Sequence, residues 1–193
     1  MLKCIQMHWL LYRMGFQSAC THTKPIEQEV LRRYAKGKHR IVELGVFEGA
    51  TSLILRKAMA HDGKLWCIDP FDRGRLGLSY RYLIAFQEAN RSGNGTVEFI
   101  QKLSHEASQG WQESLDMLFI DADHSYRAVR KDWDDWSSYV KVGGIIALHD
   151  SRSLKYPGPL RLVQEISADE DSYRKVEEVA TLTVFEKISH KVK

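Results

Sequence analysis

The chain has few cysteines, no long apolar run and no cluster of like charges. These absences argue against a disulfide or zinc framework, a membrane span and a nucleic-acid-binding surface. The three cysteines, Cys4, Cys20 and Cys67, are odd in number and show no CxxC spacing, so neither a disulfide framework nor a structural zinc site is indicated. No apolar run reaches the length of a membrane span. The net charge of +3 comes from scattered basic residues, which lack the footprint of a nucleic-acid-binding surface. We therefore expect a cytoplasmic protein in a reducing compartment, with no nucleic-acid or membrane partner.

The composition is that of a folded domain with a short N-terminal extension. Hydrophobic residues make up 44% of the 193 residues and charged residues 27%, which suits one α/β domain. Residues 1–16 are fairly apolar, but polar and charged side chains interrupt them, so they make a poor signal peptide. Apolar residues near helical spacing predict an amphipathic helix there: Leu2, Ile5, Trp9, Tyr12 and Phe16. We divide the chain into a helical extension, residues 1–37, and a domain, residues 38–193. The helix packs on the domain, forms a lid, or contacts a second subunit in a homodimer.

From residue 40 onward, strand and helix patterns alternate. Strands are predicted at residues 40–44, 64–69, 96–100, 115–120 and 145–148, the last after a break at Gly143 and Gly144. Helices are predicted at residues 50–60, 79–90 and 126–139, and an earlier one begins at Pro25 with an apolar stripe of Ile26, Val30 and Leu31. Residues 173–179 and 181–187 predict a hairpin. The fold class is α/β: a Rossmann-like, doubly wound, seven-stranded, mostly parallel sheet with an antiparallel C-terminal hairpin.

Acidic residues follow the predicted parallel strands. Glu43, Asp69, Asp121 and the pair His149–Asp150 lie at or next to strand ends. Because ligands of open α/β sheets bind outside the carboxyl ends of the strands, these side chains are expected to share one rim.

The turn after the first strand, residues 45–49, and the acid Asp69 together predict a ligand that contains adenosine. Glycines allow positive φ and close approach of a ligand to the backbone, and an acid at the next strand end can bind both ribose hydroxyls. These features alone do not separate a nicotinamide dinucleotide from S-adenosylmethionine. The turn lacks GxGxxG, and Glu43 would repel a pyrophosphate, so the dinucleotide is disfavoured.

Four stretches carry a resemblance to a known family. They are residues 43–52 (ELGVFEGATS), 67–72 (CIDPFD), 118–126 (LFIDADHSY) and 141–150 (KVGGIIALHD). In this order they resemble the motifs of class I S-adenosylmethionine-dependent methyltransferases. They are most similar to the small-molecule branch of macrocin-type sugar O-methyltransferases and cephalosporin-biosynthesis-like proteins, and are also similar to the catechol O-methyltransferase group. The resemblance spans about residues 38–187.

The resemblance implies a cofactor, S-adenosylmethionine, and assigns residues to it. The methionine end is assigned to Glu43, Gly45 and Gly49, and Val46 and Glu48 of the same loop are also assigned to the cofactor. The ribose is assigned to Asp69, the adenine to Ser104 and the sulfonium centre to Asp121.

A second group of residues predicts a divalent cation on the same rim. Asp121, His149 and Asp150 combine carboxylate oxygens with an imidazole, which suits Mg²⁺ or Mn²⁺. Relatives with this architecture use such a metal to lower the pKa of the acceptor hydroxyl. They carry a carboxylate where this chain has His149, so the alternative is that His149 and Asp150 bind substrate or the chain itself.

His124 is the predicted general base, with Asp121 beside it as a second catalytic residue. A neutral imidazole is available at physiological pH and can take the proton of a small-molecule hydroxyl. The alternative is that His124 only caps the following helix, a role that Asp123 can also fill. Acceptor choice is expected to lie in the loops at residues 71–82 and 151–159. A non-catalytic cofactor-binding scaffold, an NAD-dependent oxidoreductase, and N- or C-methylation stay open as alternatives.

Overall fold

The computed structural model describes residues 2–72 and 77–189, with the elements in α/β alternation. Two helices, α1 (Leu2–Arg13) and α2 (Pro25–Ala35), precede β1 (Arg40–Leu44), α3 (Ala50–Ala58), β2 (Lys64–Ile68), α4 (Tyr80–Asn90), β3 (Thr96–Ile100) and α5 (Ser104–Ala107). Then follow β4 (Leu115–Ile120), α6 (Tyr126–Trp136), a 3₁₀ turn (Ser137–Tyr139), β5 (Val140–Leu148), α7 (Pro157–Ser167), β6 (Tyr173–Val179) and β7 (Leu182–Lys187).

The strands form one seven-stranded sheet in the order β3-β2-β1-β4-β5-β7-β6. Strands β1 to β5 are parallel to one another, and β7 is antiparallel to both β5 and β6. The predicted fold class is therefore confirmed. The chain reverses its direction of winding between β1 and β4, and at this point the carboxyl ends of two neighbouring strands can open a crevice for a ligand.

Each face of the sheet is covered by helices because the strand residues alternate between two apolar clusters. Ile41, Met117 and Phe119 belong to the cluster under α2 and α3, while Val42 and Leu118 belong to the one under α6 and α7. Cys67 is fully buried in the first of these clusters. Helix α2 lies within residues 1–37, which the sequence analysis treats as an extension. Its side chains Val30, Leu31 and Ala35 are part of the core, so this helix packs as part of the domain.

Strand β5 starts earlier than the sequence predicts. Gly143 and Gly144 lie inside it rather than before it, and the strand begins at Val140. Val140 pairs with Leu115, the register shifts, and Met117 then pairs with Ile145. Gly143 has φ 78°, a conformation that glycine adopts at little cost, so it accommodates the irregularity without ending the strand.

Helix α1 packs against α4 through one aromatic contact and one hydrogen bond. The rings of Trp9 and Tyr80 lie 5.6 Å apart, and the Tyr12 hydroxyl donates to Glu88 Oε2 at 2.6 Å. Phe16 lies beyond the end of the helix and is 75% exposed, so its assignment to the packed stripe is wrong. None of the helices in the described ranges is long and apolar enough to cross a bilayer.

Candidate active site

The carboxyl ends of the parallel strands open into a cleft of about 640 Å³, a volume typical of small-molecule sites. The structure brings most of the predicted site residues to its wall: Glu43, Gly45, Val46, Asp69, Ser104, Asp121 and His124. The others do not line it: Glu48, Gly49, His149 and Asp150. The segment between α1 and α2 also reaches the cleft, at residues 20–22.

Gly45 lets the first strand end pass close to its neighbour. It has φ 82°, and a Cβ atom there would lie 2.1 Å from the carbonyl oxygen of Asp121. The other loop glycine, Gly49, immediately precedes α3 and has φ 78°; a Cβ atom there would lie 2.8 Å from the backbone of Ala85 in α4. Gly45 therefore shapes the cleft, whereas Gly49 serves the packing of two helices.

Replacing Gly45 by alanine is expected to destabilise the fold much more than the same change at Gly37. Both glycines have positive φ, but nothing lies within 4 Å of a Cβ atom at Gly37. Gly37→Ala should cost only the backbone strain, about 1–2 kcal/mol. Gly45→Ala adds a clash with backbone and should exceed that loss by at least about 2 kcal/mol. Urea unfolding of the two variants measures the difference, and equal losses would contradict the close approach.

Glu43 presents an unsatisfied carboxylate oxygen at the cleft. The side chain is buried, Ser52 Oγ donates to Oε2, and the Cys67 sulfur lies 3.7 Å from the same oxygen. Within residues 2–72 and 77–189, Oε1 has no hydrogen-bond partner. Burial raises the pKa of Glu43 to about 8, with Ser52 opposing the shift. A cation bound next to Oε1 would compensate the buried charge.

Asp69 secures the glycine-containing loop from the end of β2. Its Oδ2 accepts hydrogen bonds from the backbone N–H groups of Val46 at 2.9 Å and Phe47 at 3.2 Å, and its Oδ1 accepts one from Phe71 at 2.7 Å. An ionised carboxylate has about four acceptor positions, so one remains for a ligand hydroxyl. Asp72 lies beside it in the cleft wall and is exposed.

Glu48, predicted to contact the cofactor, points to the N-terminal segment instead. It is buried, and its Oε2 accepts from the backbone N–H of Cys20 at 2.5 Å and lies 2.9 Å from His8 Nε2. The physical reason is the backbone of this loop: Phe47, with φ 55°, and Gly49, with φ 78°, are left-handed, and between them Glu48 turns away from the cleft.

Ser104 lies at the far end of the cleft, where its hydroxyl donates to Asp132 Oδ1. Asp132 also lines the cleft, and burial raises its pKa to about 6. Trp136 Nε1 donates to the backbone carbonyl of Ser104 at 3.2 Å and holds this segment against α6.

His149 is enclosed by carboxylates rather than directed into the cleft. Its Nδ1 lies 3.0 Å from Asp121 Oδ1, and its Nε2 lies 3.2 Å from Glu27 Oε2. Burial favours the neutral ring, but Asp121 and Glu27 outweigh it and raise the pKa of His149 to about 10. The imidazolium form therefore bridges the two acids.

Glu27 is a site residue that the sequence analysis missed. It is 0% exposed, and besides His149 it accepts hydrogen bonds from the backbone N–H and the hydroxyl of Thr181 at 2.8 and 2.7 Å, and from the backbone N–H of Lys24 at 2.6 Å. The signal was a glutamate at helical spacing with Val30 and Leu31. Ile26, which the prediction placed on that stripe, is 57% exposed, so that assignment is wrong.

His124 lines the cleft beside two carboxylates. Its Nε2 is their ion-pair partner, 3.0 Å from Asp150 Oδ2 and 3.7 Å from Asp121 Oδ1. The Asp121 carboxylate raises the pKa of His124 above its usual value, against the effect of burial. Its ring stacks on that of Tyr156, with centroids 4.3 Å apart, which holds the imidazole in place.

The cap of helix α6 is a different residue. Ser125 is the N-cap and accepts from the backbone N–H of Ala128 at 3.3 Å, and Asp123 Oδ1 accepts from the N–H of Ser125 at 2.7 Å. The alternative that His124 only caps the helix is therefore not supported. Tyr156 belongs to the loop predicted to choose the acceptor; in the other such loop, residues 73–76 lie outside the described residues.

The predicted metal set, Asp121, His149 and Asp150, does not fit a divalent cation. Ligand atoms of these residues and His124 do lie within 4.8 Å of one another. A histidine must offer an unprotonated nitrogen to a metal, however, and both nitrogens of His149 are paired with carboxylates. Its positive charge also neutralises the acids that would attract the cation.

Comparison with known protein families identifies the family to which this chain belongs. A family described as a methyltransferase domain matches residues 42–151, which is more than half of the chain. The chain belongs to this methyltransferase family. The matched region runs from β1 through β5 to the residue after Asp150, so it contains all the strand ends that form the cleft.

Two curated relatives are similar to parts of this chain. Tricin synthase 1 of Oryza sativa subsp. japonica is 32% identical over 114 residues, which are 57% of this chain and 44% of the relative. The uncharacterized protein R132 of Acanthamoeba polyphaga mimivirus is 28% identical over 158 residues, 75% of this chain and 66% of the relative. The chain thus spans less than two thirds of the length of either relative.

Solved structures show the same fold. An O-methyltransferase from Bacillus cereus, in complex with S-adenosylhomocysteine, superposes with a TM-score of 0.65 at 16% identity and covers 95% of this chain and 91% of its own. TomG from Streptomyces achromogenes, an O-methyltransferase of tomaymycin synthesis in complex with S-adenosylmethionine, gives a TM-score of 0.62 at 15% identity and covers 96% and 89%. At these identities, the likeness establishes the fold.

Proposed function

We propose that this methyltransferase uses S-adenosylmethionine to methylate a hydroxyl group of a small molecule. The observation that carries the proposal is the buried Glu43 Oε1, which has no hydrogen-bond partner among the described residues and belongs to the same cleft as His124. Buried polar groups are almost always satisfied, so this unsatisfied oxygen indicates a missing ligand. Glu43 Oε1 suits a cation, and His124 suits a hydroxyl that gives up a proton.

The cleft residues fit the parts of the cofactor. Glu43 Oε1 suits the ammonium of the methionine portion, whose backbone would lie along residues 45–47. Asp69, with Asp72 beside it, would accept from the ribose hydroxyls. Ser104 and Asp132 would surround the adenine. When bound, the cofactor supplies an electrophilic methyl group on a sulfonium centre.

His124 would remove the proton of the acceptor. Its Nε2 accepts that proton as the acceptor oxygen is methylated, and Asp121 and Asp150 stabilise the imidazolium that results. The stacked ring of Tyr156 orients the base and helps to exclude water. Because the predicted metal set does not fit, we assign no step to a metal.

Two observations support a small-molecule acceptor: the volume of the cleft and the names of the relatives. The cleft has the volume of a small-molecule site, and both tricin synthase and the tomaymycin enzyme act in small-molecule synthesis by name. The cytoplasmic location, the homodimer and the lack of a nucleic-acid partner stay predictions from the sequence.

Calorimetric titration with S-adenosylmethionine tests the proposal and the role of Glu43 together. Because the pKa of Glu43 is about 8 in the free protein and the ammonium requires its carboxylate, binding near pH 7 should release close to one proton. Titrations in two buffers of different ionisation enthalpy count that proton. Glu43→Gln should bind more weakly and release none.

The outcomes separate the two claims. Binding of S-adenosylmethionine without proton release would remove the role of Glu43 but keep the cofactor. Binding of NAD instead, or of neither ligand, would overturn the proposed function. Tight binding without methylation of any phenol, sugar or polyketide alcohol in a panel would favour a scaffold.

A further inference from the structure

A second cluster of ligating side chains lies between the N-terminal segment and the loop after β1. His8 comes from α1, Cys20 from the connection between α1 and α2, and Glu48 from the loop between β1 and α3. One ligand atom of each lies within 4.8 Å of the others. The Nε2 atom of His8 is 2.9 Å from Glu48 Oε2 and 3.6 Å from Cys20 Sγ. This cluster shares no residue with the acidic rim around Asp121.

The hydrogen bonding of His8 leaves the correct nitrogen for a metal. Its Nδ1 lies 2.6 Å from Gln17 Oε1, a carbonyl oxygen that can only accept. Nδ1 therefore carries one proton. Nε2 faces the Glu48 carboxylate and the Cys20 sulfur, and a metal ion bound there would replace the proton that Nε2 shares with Glu48. Metal-binding histidines are oriented in this way, by donating their other N–H to an oxygen.

The spacing of the three atoms is close to that of a zinc site. Zn–N bonds of about 2.0–2.1 Å and Zn–S bonds of about 2.3 Å place tetrahedral nitrogen and sulfur ligands about 3.6 Å apart. The distance between His8 and Cys20 already has this value. The distance between His8 and Glu48 needs to lengthen by about 0.4 Å for the same geometry. A thiolate and a carboxylate would neutralise the two charges of Zn²⁺.

We propose that His8, Cys20 and Glu48 bind Zn²⁺ and fasten the N-terminal segment over the glycine-containing loop. The sequence shows no zinc motif because the three ligands come from separate elements. The connection that holds Cys20 also lines the cleft, and the loop that holds Glu48 forms its wall at residues 45–47. Zinc and cleft ligands should therefore strengthen each other's binding. The site itself does not depend on the proposed methyl transfer.

Cobalt spectroscopy of the full chain tests this site, because a thiolate ligand gives Co²⁺ a charge-transfer band that oxygen and nitrogen ligands do not. A Cys4→Ser background leaves Cys20 and the buried Cys67 as the two remaining thiols. We expect one Co²⁺ per chain with this band, displaced by Zn²⁺. Cys20→Ser should abolish the band, and His8→Ala and Glu48→Gln should weaken binding at least about tenfold. His61→Ala, an exposed histidine elsewhere, and His124→Ala, in the rim cluster, should leave it unchanged.

Alkylation of Cys20 provides a measurement that needs no variant to fold. Cys20 is exposed and Cys67 is buried, so a thiol reagent should modify Cys20, and Zn²⁺ should slow that reaction. Peptide mapping measures the modification of Cys20 separately from that of Cys4. Absence of the band in excess Co²⁺, or an alkylation rate of Cys20 that Zn²⁺ leaves unchanged, would show that His8 and Glu48 form an ion pair only. Either result would overturn the proposal.

Discussion

Replacing His124 by alanine is expected to lower kcat by about 10²- to 10⁴-fold, the range that a general base contributes. The Kd of S-adenosylmethionine should stay within about threefold of the wild-type value, because its assigned contacts lie on other residues. The assay uses an acceptor found with a panel of phenols, sugars and polyketide alcohols. Binding without turnover is the result that identifies a base rather than a cofactor ligand.

The pH dependence of kcat/KM distinguishes a base from a residue that only supports the structure. The Asp121 carboxylate raises the pKa of His124, and only the unprotonated ring can act as a base. Hence kcat/KM should increase with pH through a value above 6.5, and His124→Gln should lose this dependence. His61→Ala, exposed and outside the cleft, is the matched control. A chelator should leave the wild-type kcat at saturating S-adenosylmethionine unchanged, because no catalytic step is assigned to a metal. A loss of kcat of less than threefold in His124→Ala would exclude His124 as the base.

The strands could be predicted because each buried strand is a short run of mostly apolar residues in the sequence. Strand β4, Leu115–Ile120, is buried at all six positions and is a continuous apolar run apart from Asp116. The residues after such strands must lie on the rim, so Asp69, Asp121 and His124 were placed in the cleft from the sequence alone. Periodicity and topology together determine these positions.

The parts that could not be predicted depend on contacts between distant residues. Glu27 and Thr181 are 154 positions apart, and no local pattern connects them. The same is true of Glu48. Its partners His8 and Cys20 lie in the N-terminal extension, where the sequence predicts a helix but no contact with Glu48. Side-chain direction in a turn is determined by what packs on it, and the sequence of the loop does not contain that information.

The acidic side chains at the rim form an ionic network around the buried His149. Two acids, Asp121 and Glu27, flank the His149 imidazolium, and Asp150 lies 3.7 Å from its Nδ1. Asp150 has φ 52°, a strained conformation for a residue other than glycine, and it places the carboxylate near His124. The His149 imidazolium thus supplies one positive charge to the rim. His124 and His149 together lower the pKa of Asp121, against the effect of burial.

Replacing Glu27 by alanine is expected to reduce the free energy of unfolding by about 3–5 kcal/mol near pH 5.5, because it leaves the buried His149 without one of its two carboxylates. Glu29→Ala, an exposed glutamate on the same helix that pairs with Arg32, should cost less than about 1 kcal/mol. Urea unfolding of both variants measures the difference. Similar losses in the two variants would show that the Glu27–His149 pair does not stabilise the fold.

The size of the Glu27 effect should depend on pH in a direction that the two pKa shifts determine. Burial opposes the Glu27 charge, but His149 and the backbone donors hold its pKa at about 2, so its contribution is complete above the usual value of 4.5 and is lost as the pH falls towards 2. The pKa of His149 is raised to about 10, so its contribution is complete below the usual value of 6.5 and is lost as the pH rises towards 10. Both are complete only between 4.5 and 6.5. The loss in Glu27→Ala should therefore be largest near pH 5.5 and distinctly smaller near pH 9. An equal loss at pH 5.5 and pH 9 would mean that His149 carries no charge in the folded protein that Glu27 stabilises.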